Sequence, residues 1–150
     1  MKMAKIVMLE RDNVGADVDV SYFSELGEVT IYGKTTNEQV TERIKDAEVV
    51  VINKVPMNES TLKDAHNLKL ICVTATGTDN VDMPYCESRG ILVKNVKGYS
   101  TESVVQHTFA MLFYLYEKLS FYDEYVKSGE YLNCPTFCYF GERFFELSGK

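Results

Sequence analysis

Long apolar segments are missing from this 150-residue sequence. Lys2 and Lys5 interrupt the short apolar run at the start, and no long apolar stretch follows, so the sequence shows no signal peptide. No window approaches the roughly 18 apolar residues that a membrane span requires. We therefore expect a cytoplasmic protein without a membrane partner.

Clustered basic residues are missing as well. The 16 Lys and Arg residues are scattered along the chain, and the formal net charge is −6. Binding to a nucleic-acid backbone needs a concentrated positive surface that neutralises phosphates. The sequence therefore predicts no nucleic-acid partner.

The sequence has few residues that could build a metal or redox site. Cys134 and Cys138 are four positions apart, but no second cysteine or histidine cluster completes a zinc set. Thiols stay reduced in a cytoplasmic α/β protein with a hydrophobic core, so we expect four free cysteines. Of the two histidines, His66 lies in a polar segment and His107 inside a helical pattern, and we expect neither to be catalytic.

A glycine-rich dinucleotide motif is also absent. The turn that brings a pyrophosphate to a helix N-terminus has the pattern Gly-x-Gly-x-x-Gly. None of the nine glycines stands two positions from another. The printed sequence therefore contains no pyrophosphate-binding turn of this type.

What the sequence does contain is a regular alternation of apolar runs and helical segments. The runs are rich in Val, Ile and Leu and apolar nearly throughout, which is typical of strands covered on both faces. Strands that alternate with helices predict a parallel sheet with right-handed crossovers. We therefore predict an α/β fold with a three-layer, five-stranded, flavodoxin-like sheet. The five runs are 5–9, 28–32, 48–52, 69–73 and 91–93.

Helix-capping residues stand between these runs. They are Thr35 with Glu38 or Thr36 with Gln39 as a capping box, Asn58 before a short helix, and Asp82 with Pro84 before a helix ending near Gly90.

The pattern changes after Gly98. Ser100 is suited to cap a long helix over 101–126, which is apolar on more than one face and would therefore be buried, in part against a partner chain. The tail from 131 to 150 shows no regular element. Its six aromatic residues would be costly to expose, so we expect them to cover something outside this chain or in a second subunit. They are Tyr131, Phe137, Tyr139, Phe140, Phe144 and Phe145.

Three segments follow strands at the edge where ligands of open α/β sheets bind. They are 53–56, 74–80 and 95–100. In the second, Gly77 and its small neighbours let the backbone approach a ligand, and successive amides can hold an anion such as a carboxylate. The alternative is a tight loop in which Asp79 and Asn80 only cap the next turn.

Two of these segments carry a family resemblance. The segment 76–82 resembles the glycine-rich substrate loop of the D-isomer-specific 2-hydroxyacid dehydrogenases, and 98–108 resembles the helix start that follows in that family. The tail, 140–150, is similar to the segment before the family's cofactor-domain strand. The resemblance covers essentially the whole chain and favours glycerate- and hydroxypyruvate-type members.

The resemblance implies an NAD-dependent oxidoreductase that interconverts a 2-oxoacid and a D-2-hydroxyacid. It implies that the backbone at 75–77 holds the substrate carboxylate, that the residues after the third strand face the other end of the substrate, and that Tyr99 lines the pocket. It also places Thr76 and Val105 near the nicotinamide. The implied substrate-binding residues are Asn53, Lys54, Ala75, Thr76, Gly77 and Tyr99.

The same resemblance implies an organisation in two parts. Residues 1–98 would be the substrate-binding domain, and 99–150 would belong to an NAD-binding domain and, through the helix 101–126, to a homodimer interface. The family supplies its cofactor fingerprint and its catalytic Arg, Glu and His from later sequence, so we expect this chain alone to be inactive. A final family segment covers one side of the sheet, so we also expect exposed apolar surface and self-association here.

Two alternatives use the same fold. A stand-alone flavodoxin-like module would use these loops to bind a small anion or to regulate a partner. A flavin-binding or phospho-receiver domain is disfavoured, because a receiver needs an Asp after its third strand and this chain has Asn53 and Lys54 there.

Overall fold

A computed structural model describes residues 3–144 and 146–149 of the chain. These residues form two compact units that divide between Tyr99 and Ser100. Within the described ranges, no helix combines the length and the apolar content that a membrane span needs.

The first unit is built on a five-stranded sheet in which every strand pair is parallel. The strand order is β2-β1-β3-β4-β5, so the chain reverses direction across the sheet after β2. The predicted α/β fold class is confirmed, and the five predicted runs coincide closely with the strands. These are β1 (Ala4–Met8), β2 (Gly27–Ile31), β3 (Val49–Ile52), β4 (Leu70–Val73) and β5 (Leu92–Asn95).

Three helices connect the later strands, and each begins at a predicted capping residue. They are α1 (Asn37–Ile44), α2 (Glu59–Leu62) and α3 (Met83–Ser88). The capping box uses Thr36 and Gln39, the second of the two predicted pairs, and the Gln39 side chain accepts from the Thr36 amide at 3.0 Å. The Asp82 carboxylate accepts from the Tyr85 amide at 3.0 Å, with Pro84 in the first turn.

All three helices pack on the same face of the sheet and form the main core with it. Alternate strand residues point to this face, as the two-residue repeat of a strand requires, and most of them are buried. The core includes Val7, Val50, Ile52, Ile71 and Val73 from the strands and Val40, Ile44, Leu62 and Cys86 from the helices.

The opposite face, which we call the open face, is covered only in part. The connection from β1 to β2 supplies two short 3₁₀ helices, Arg11–Asn13 and Ser21–Glu25, instead of an α-helix. Beside them lies an apolar groove of about 510 Å³. Leu26 and Leu92 are 66% and 62% exposed. The apolar surface expected on one side of the sheet is therefore present.

The second unit contains two helices where one was predicted over 101–126. They are α4 (Thr101–Tyr116) and α5 (Leu119–Lys127). Lys118 interrupts the helix with a left-handed backbone (φ 52°), and Ser100 makes no side-chain cap. The tail stabilises this break, because Lys118 pairs with Glu142 and the Tyr122 hydroxyl donates to the Glu142 carbonyl at 2.7 Å.

Some apolar side chains of this unit contact the tail, and others are exposed to solvent. No residue of α4 is buried. On α5, Tyr125 packs against Tyr139 of the tail at a ring-centroid distance of 4.5 Å. Phe137 and Phe140 remain 89% and 82% exposed, whereas Phe145 lies outside the described residues. Part of the predicted aromatic tail thus covers α5 of the same chain.

Candidate functional site

The candidate site is formed by three loops at the carboxyl edge of the sheet. We call 53–56 the β3 loop, 74–80 the β4 loop and 96–99 the β5 loop, after the strand that each follows. Because the strands are parallel and adjacent, all three loops leave the sheet at the same edge. The six predicted substrate-binding residues all lie in these loops.

Hydrogen bonds tie the β3 loop to the β4 loop. The Asn53 side-chain amide donates to the carbonyl and the hydroxyl of Thr74, at 3.2 and 2.9 Å. The Asn80 side-chain amide donates to the Val55 carbonyl at 2.9 Å. Asn53 is half-buried, and its two hydrogen bonds fix its side chain. Asn80 lies in the β4 loop, and its hydrogen bond holds that loop against the β3 loop.

A second set of bonds ties the β4 loop to the segment after β5. The Asn95 side-chain amide donates to the Thr76 carbonyl at 2.6 Å, and the Thr76 hydroxyl donates to the Val96 carbonyl at 3.0 Å. The Val96 amide donates to the Ala75 carbonyl at 3.1 Å. Since the Thr76 hydroxyl proton is used, its oxygen can only accept from a ligand.

These hydrogen bonds leave the amides at 75–77 in the β4 loop free. Within residues 3–144 and 146–149, the N–H groups of Ala75, Thr76 and Gly77 donate to no acceptor. Thr76 and Gly77 are exposed, and a Cβ added at Gly77 would meet only the Asp79 carboxylate, at 3.1 Å. Three consecutive free donors, two of them on exposed residues, can bind a carboxylate.

The amides of the β3 loop are in the opposite state. One carboxylate oxygen of Glu10 accepts from the amides of Asn53, Lys54 and Val55 at 2.6, 2.8 and 3.0 Å. Glu10 is separated from the end of β1 by Leu9 alone and is 7% exposed. No role was predicted for Glu10 from the sequence, although an acidic residue directly after the first apolar run, 5–9, was a visible signal.

The remaining predicted residues make few contacts. Lys54 is exposed, Tyr99 is 64% exposed, and neither side chain forms a hydrogen bond or ion pair within the described ranges. Val105 belongs to the second unit, on α4, and is half exposed. The roles predicted for these three side chains stay predictions.

Among the described residues, the titratable groups outside these loops form no cluster that could bind a metal ion. Both histidines are exposed, and in the described part of the chain no three His, Cys, Asp or Glu residues could share a metal ion. All four cysteines are free, as predicted. Burial raises the pKa of the Cys86 thiol, which is typical of an inert core cysteine.

Comparison with known proteins identifies the family. Residues 6–139 match the family model described as D-isomer specific 2-hydroxyacid dehydrogenase, catalytic domain. Glycerate dehydrogenase of Methylorubrum extorquens is 37% identical over 97% of this chain, and hydroxypyruvate reductase of Blautia hydrogenotrophica is 32% identical over 97%. The chain spans 46% and 47% of the length of these relatives.

A solved structure agrees with the sequence relatives. D-Lactate dehydrogenase of Aquifex aeolicus, complexed with NAD and lactic acid, is 29% identical with a TM-score of 0.67. The match covers 88% of this chain and 38% of that one. Both the fold and the sequence show that this chain belongs to the D-isomer-specific 2-hydroxyacid dehydrogenase family.

Proposed function

We propose that the β4 loop binds the carboxylate of a 2-oxoacid or D-2-hydroxyacid, and that the complete gene product is an NAD-dependent D-2-hydroxyacid dehydrogenase. The observation that carries this proposal is the set of three consecutive free amides at 75–77. They stand at the sheet edge where ligands of this fold class bind. Family membership supplies the chemical class of the substrate.

The other end of the substrate would face the β3 loop. Asn53 is fixed there by its bonds to Thr74, and Lys54 adds a positive charge that is free to reach a polar group. Tyr99 would line the pocket from the β5 loop. A polar or hydroxylated far end suits these residues, as in the glycerate and hydroxypyruvate that name two of the relatives.

The residues of this chain do not fit a complete NAD site. None of its nine glycines stands two positions from another, so the printed sequence has no turn that could cradle the pyrophosphate. Contacts to the nicotinamide nucleotide would be limited to Thr76 and Val105. We therefore expect the chain alone to bind substrate weakly and to turn over nothing.

The proposed organisation follows the family. Residues 1–98 would be the substrate-binding domain, and 99–150 would pack with an NAD-binding domain and a second subunit. The exposed apolar side chains of α4 support a homodimer formed through 101–126. A cytoplasmic location is supported by the four free thiols.

The test is a spectrophotometric assay of NADH oxidation with hydroxypyruvate, pyruvate and glyoxylate. We expect activity from the complete gene product and none from the 150-residue chain, and the products formed from hydroxypyruvate and pyruvate should have the D configuration. If the complete product binds these acids but oxidises no NADH, the small-anion-binding module becomes the better account. NADH oxidation by the 150-residue chain alone would contradict the expected inactivity.

A further inference from the structure

A buried carboxylate behind the β3 loop is the feature of the molecule that the proposed function leaves unused. Glu10 accepts three successive amides through one oxygen, and its other oxygen accepts from the Asn13 side chain at 2.9 Å. The three amides belong to residues that stand 43–45 positions after Glu10 in the sequence. It therefore links the end of β1 to the loop after β3.

Backbone dipoles balance the charge of this carboxylate. In the part of the chain that the structure describes, no Lys, Arg or His side chain forms an ion pair with Glu10. Successive N–H groups that converge on one oxygen form an anion site, and a charged acceptor makes stronger bonds than a neutral one. The β3 loop is thus built around an anion supplied by the protein itself.

This arrangement has a consequence for the neighbouring loop. The amides at 53–55 are already occupied, whereas those at 75–77 are free. Of these two sets of amides, only the one in the β4 loop is therefore available to the carboxylate of a substrate.

We propose that Glu10 is a positioning residue for substrate recognition. It fixes the β3 loop so that Asn53 and Lys54 meet the far end of the substrate, and it keeps the substrate carboxylate out of that loop. The inference rests on the proposed function, because it uses the substrate placement given there. Glu10 itself touches no substrate.

The first arm of the test measures amide hydrogen exchange in the 150-residue chain by NMR. In Glu10→Gln, we expect exchange at Asn53, Lys54 and Val55 to accelerate on the order of tenfold, and in Glu10→Ala on the order of 100-fold. Amides of β4 should keep their protection in Glu10→Gln, which would show that this variant is folded. Glu10→Gln therefore carries the test even if Glu10→Ala does not fold. Unchanged exchange at these three amides in Glu10→Gln would overturn the proposed link.

The second arm is a double-mutant cycle on the complete gene product. We expect Glu10→Gln to raise KM for the 2-oxoacid about tenfold with a smaller change in kcat. The reason is that the hydrogen bonds from the amides at 53–55 would then have a neutral acceptor and would hold the β3 loop less firmly. In the Lys54→Met background the same substitution should raise KM by a smaller factor, since both changes act through one loop. A merely structural Glu10 would give equal factors in both backgrounds, and that result would overturn the proposal.

The matched control is Glu87→Gln, which removes an exposed carboxylate on α3. It should change neither exchange at 53–55 nor KM. A wild-type protein without dehydrogenase activity would overturn the proposed function together with the substrate role of Glu10. Normal activity with equal factors in the cycle would overturn the role of Glu10 alone.

Discussion

At the scale of single residues, the backbone amides of two adjacent loops differ in what they bind. Those of the β3 loop hold the Glu10 carboxylate, and those at 75–77 in the β4 loop donate to no acceptor among the described residues. The side chains around them mostly bond to backbone, as Asn95 does to Thr76. The site is therefore built from main-chain donors that side chains hold in place.

The substitution Gly77→Ala, which adds one methyl group, tests whether a substrate binds to the main-chain donors of the β4 loop. A Cβ there meets only the flexible Asp79 carboxylate, so Gly77→Ala should change the free energy of unfolding by less than about 0.5 kcal/mol. The methyl group would, however, stand where a carboxylate approaches the amides. We expect KM for the 2-oxoacid to rise at least about tenfold in the complete gene product, measured by NADH oxidation.

Gly90→Ala is the control, because it should lower stability without affecting substrate binding. It has φ 68° and no atom within 4 Å of an added Cβ, so Gly90→Ala carries only the cost of a left-handed backbone, about 1–2 kcal/mol. We expect lower stability in urea and an unchanged KM. A Gly77→Ala protein with wild-type KM would show that the substrate does not approach the β4 loop closely.

The sequence alone located the β4 loop but not the state of its amides. Gly77 among small residues indicated a close backbone approach, and the position after β4 is readable from the apolar run. Glu10 occupies the amides of the β3 loop, and Asn53 and Asn95 hold the β4 loop through its carbonyl oxygens. The partners of these three residues lie 19 to 45 positions away. Pairings at that separation are set by tertiary structure and leave no local pattern.

At the scale of secondary-structure elements, the strands and their caps were predictable because each is a local pattern. Runs of Val and Ile mark the strands, and Asp82 followed by Pro84 marks the start of α3. The break at Lys118 was not predictable, because no Gly or Pro marks it and its partner Glu142 lies 24 positions later. Contacts with the tail override helix propensity there.

The pairing of β1 with β2 depends on one glycine. A Cβ on Gly27 would overlap the carbonyl oxygen of Ala4, a backbone atom that cannot move without breaking the sheet. We expect Gly27→Ala to lower the free energy of unfolding by at least about 1–3 kcal/mol, measured by urea denaturation. Stability equal to that of Gly77→Ala would mean that β2 can shift away from β1 at no cost.

At the scale of the whole molecule, the chain exposes apolar surface in both of its units. The open face of the sheet presents a concave groove, whereas α4 presents exposed apolar side chains along a helix. A symmetric dimer needs a surface that fits a copy of itself. Two helices can pack side by side in this way, whereas two grooves cannot fill one another, so α4 is the better candidate for the dimer interface.

Light scattering can distinguish the two surfaces. We expect twice the chain mass for the wild type, and a monomer for Leu115→Glu, because Leu115 is 74% exposed on α4 and its replacement would bury a charge in the dimer. Leu92→Glu, on the open face, is the matched control and should stay dimeric. Dissociation of Leu92→Glu with an intact Leu115→Glu dimer would assign the interface to the open face instead.

Binding of a small carboxylate at 75–77 is the central claim, and an NMR titration of the ¹⁵N-labelled 150-residue chain with D-glycerate and hydroxypyruvate tests it most directly. We predict saturable shifts of the amide signals of Ala75, Thr76 and Gly77, and much smaller shifts of the Glu10-bound amides at 53–55. Saturable shifts at 53–55 without shifts at 75–77, or no saturable shift in either loop, would contradict this account.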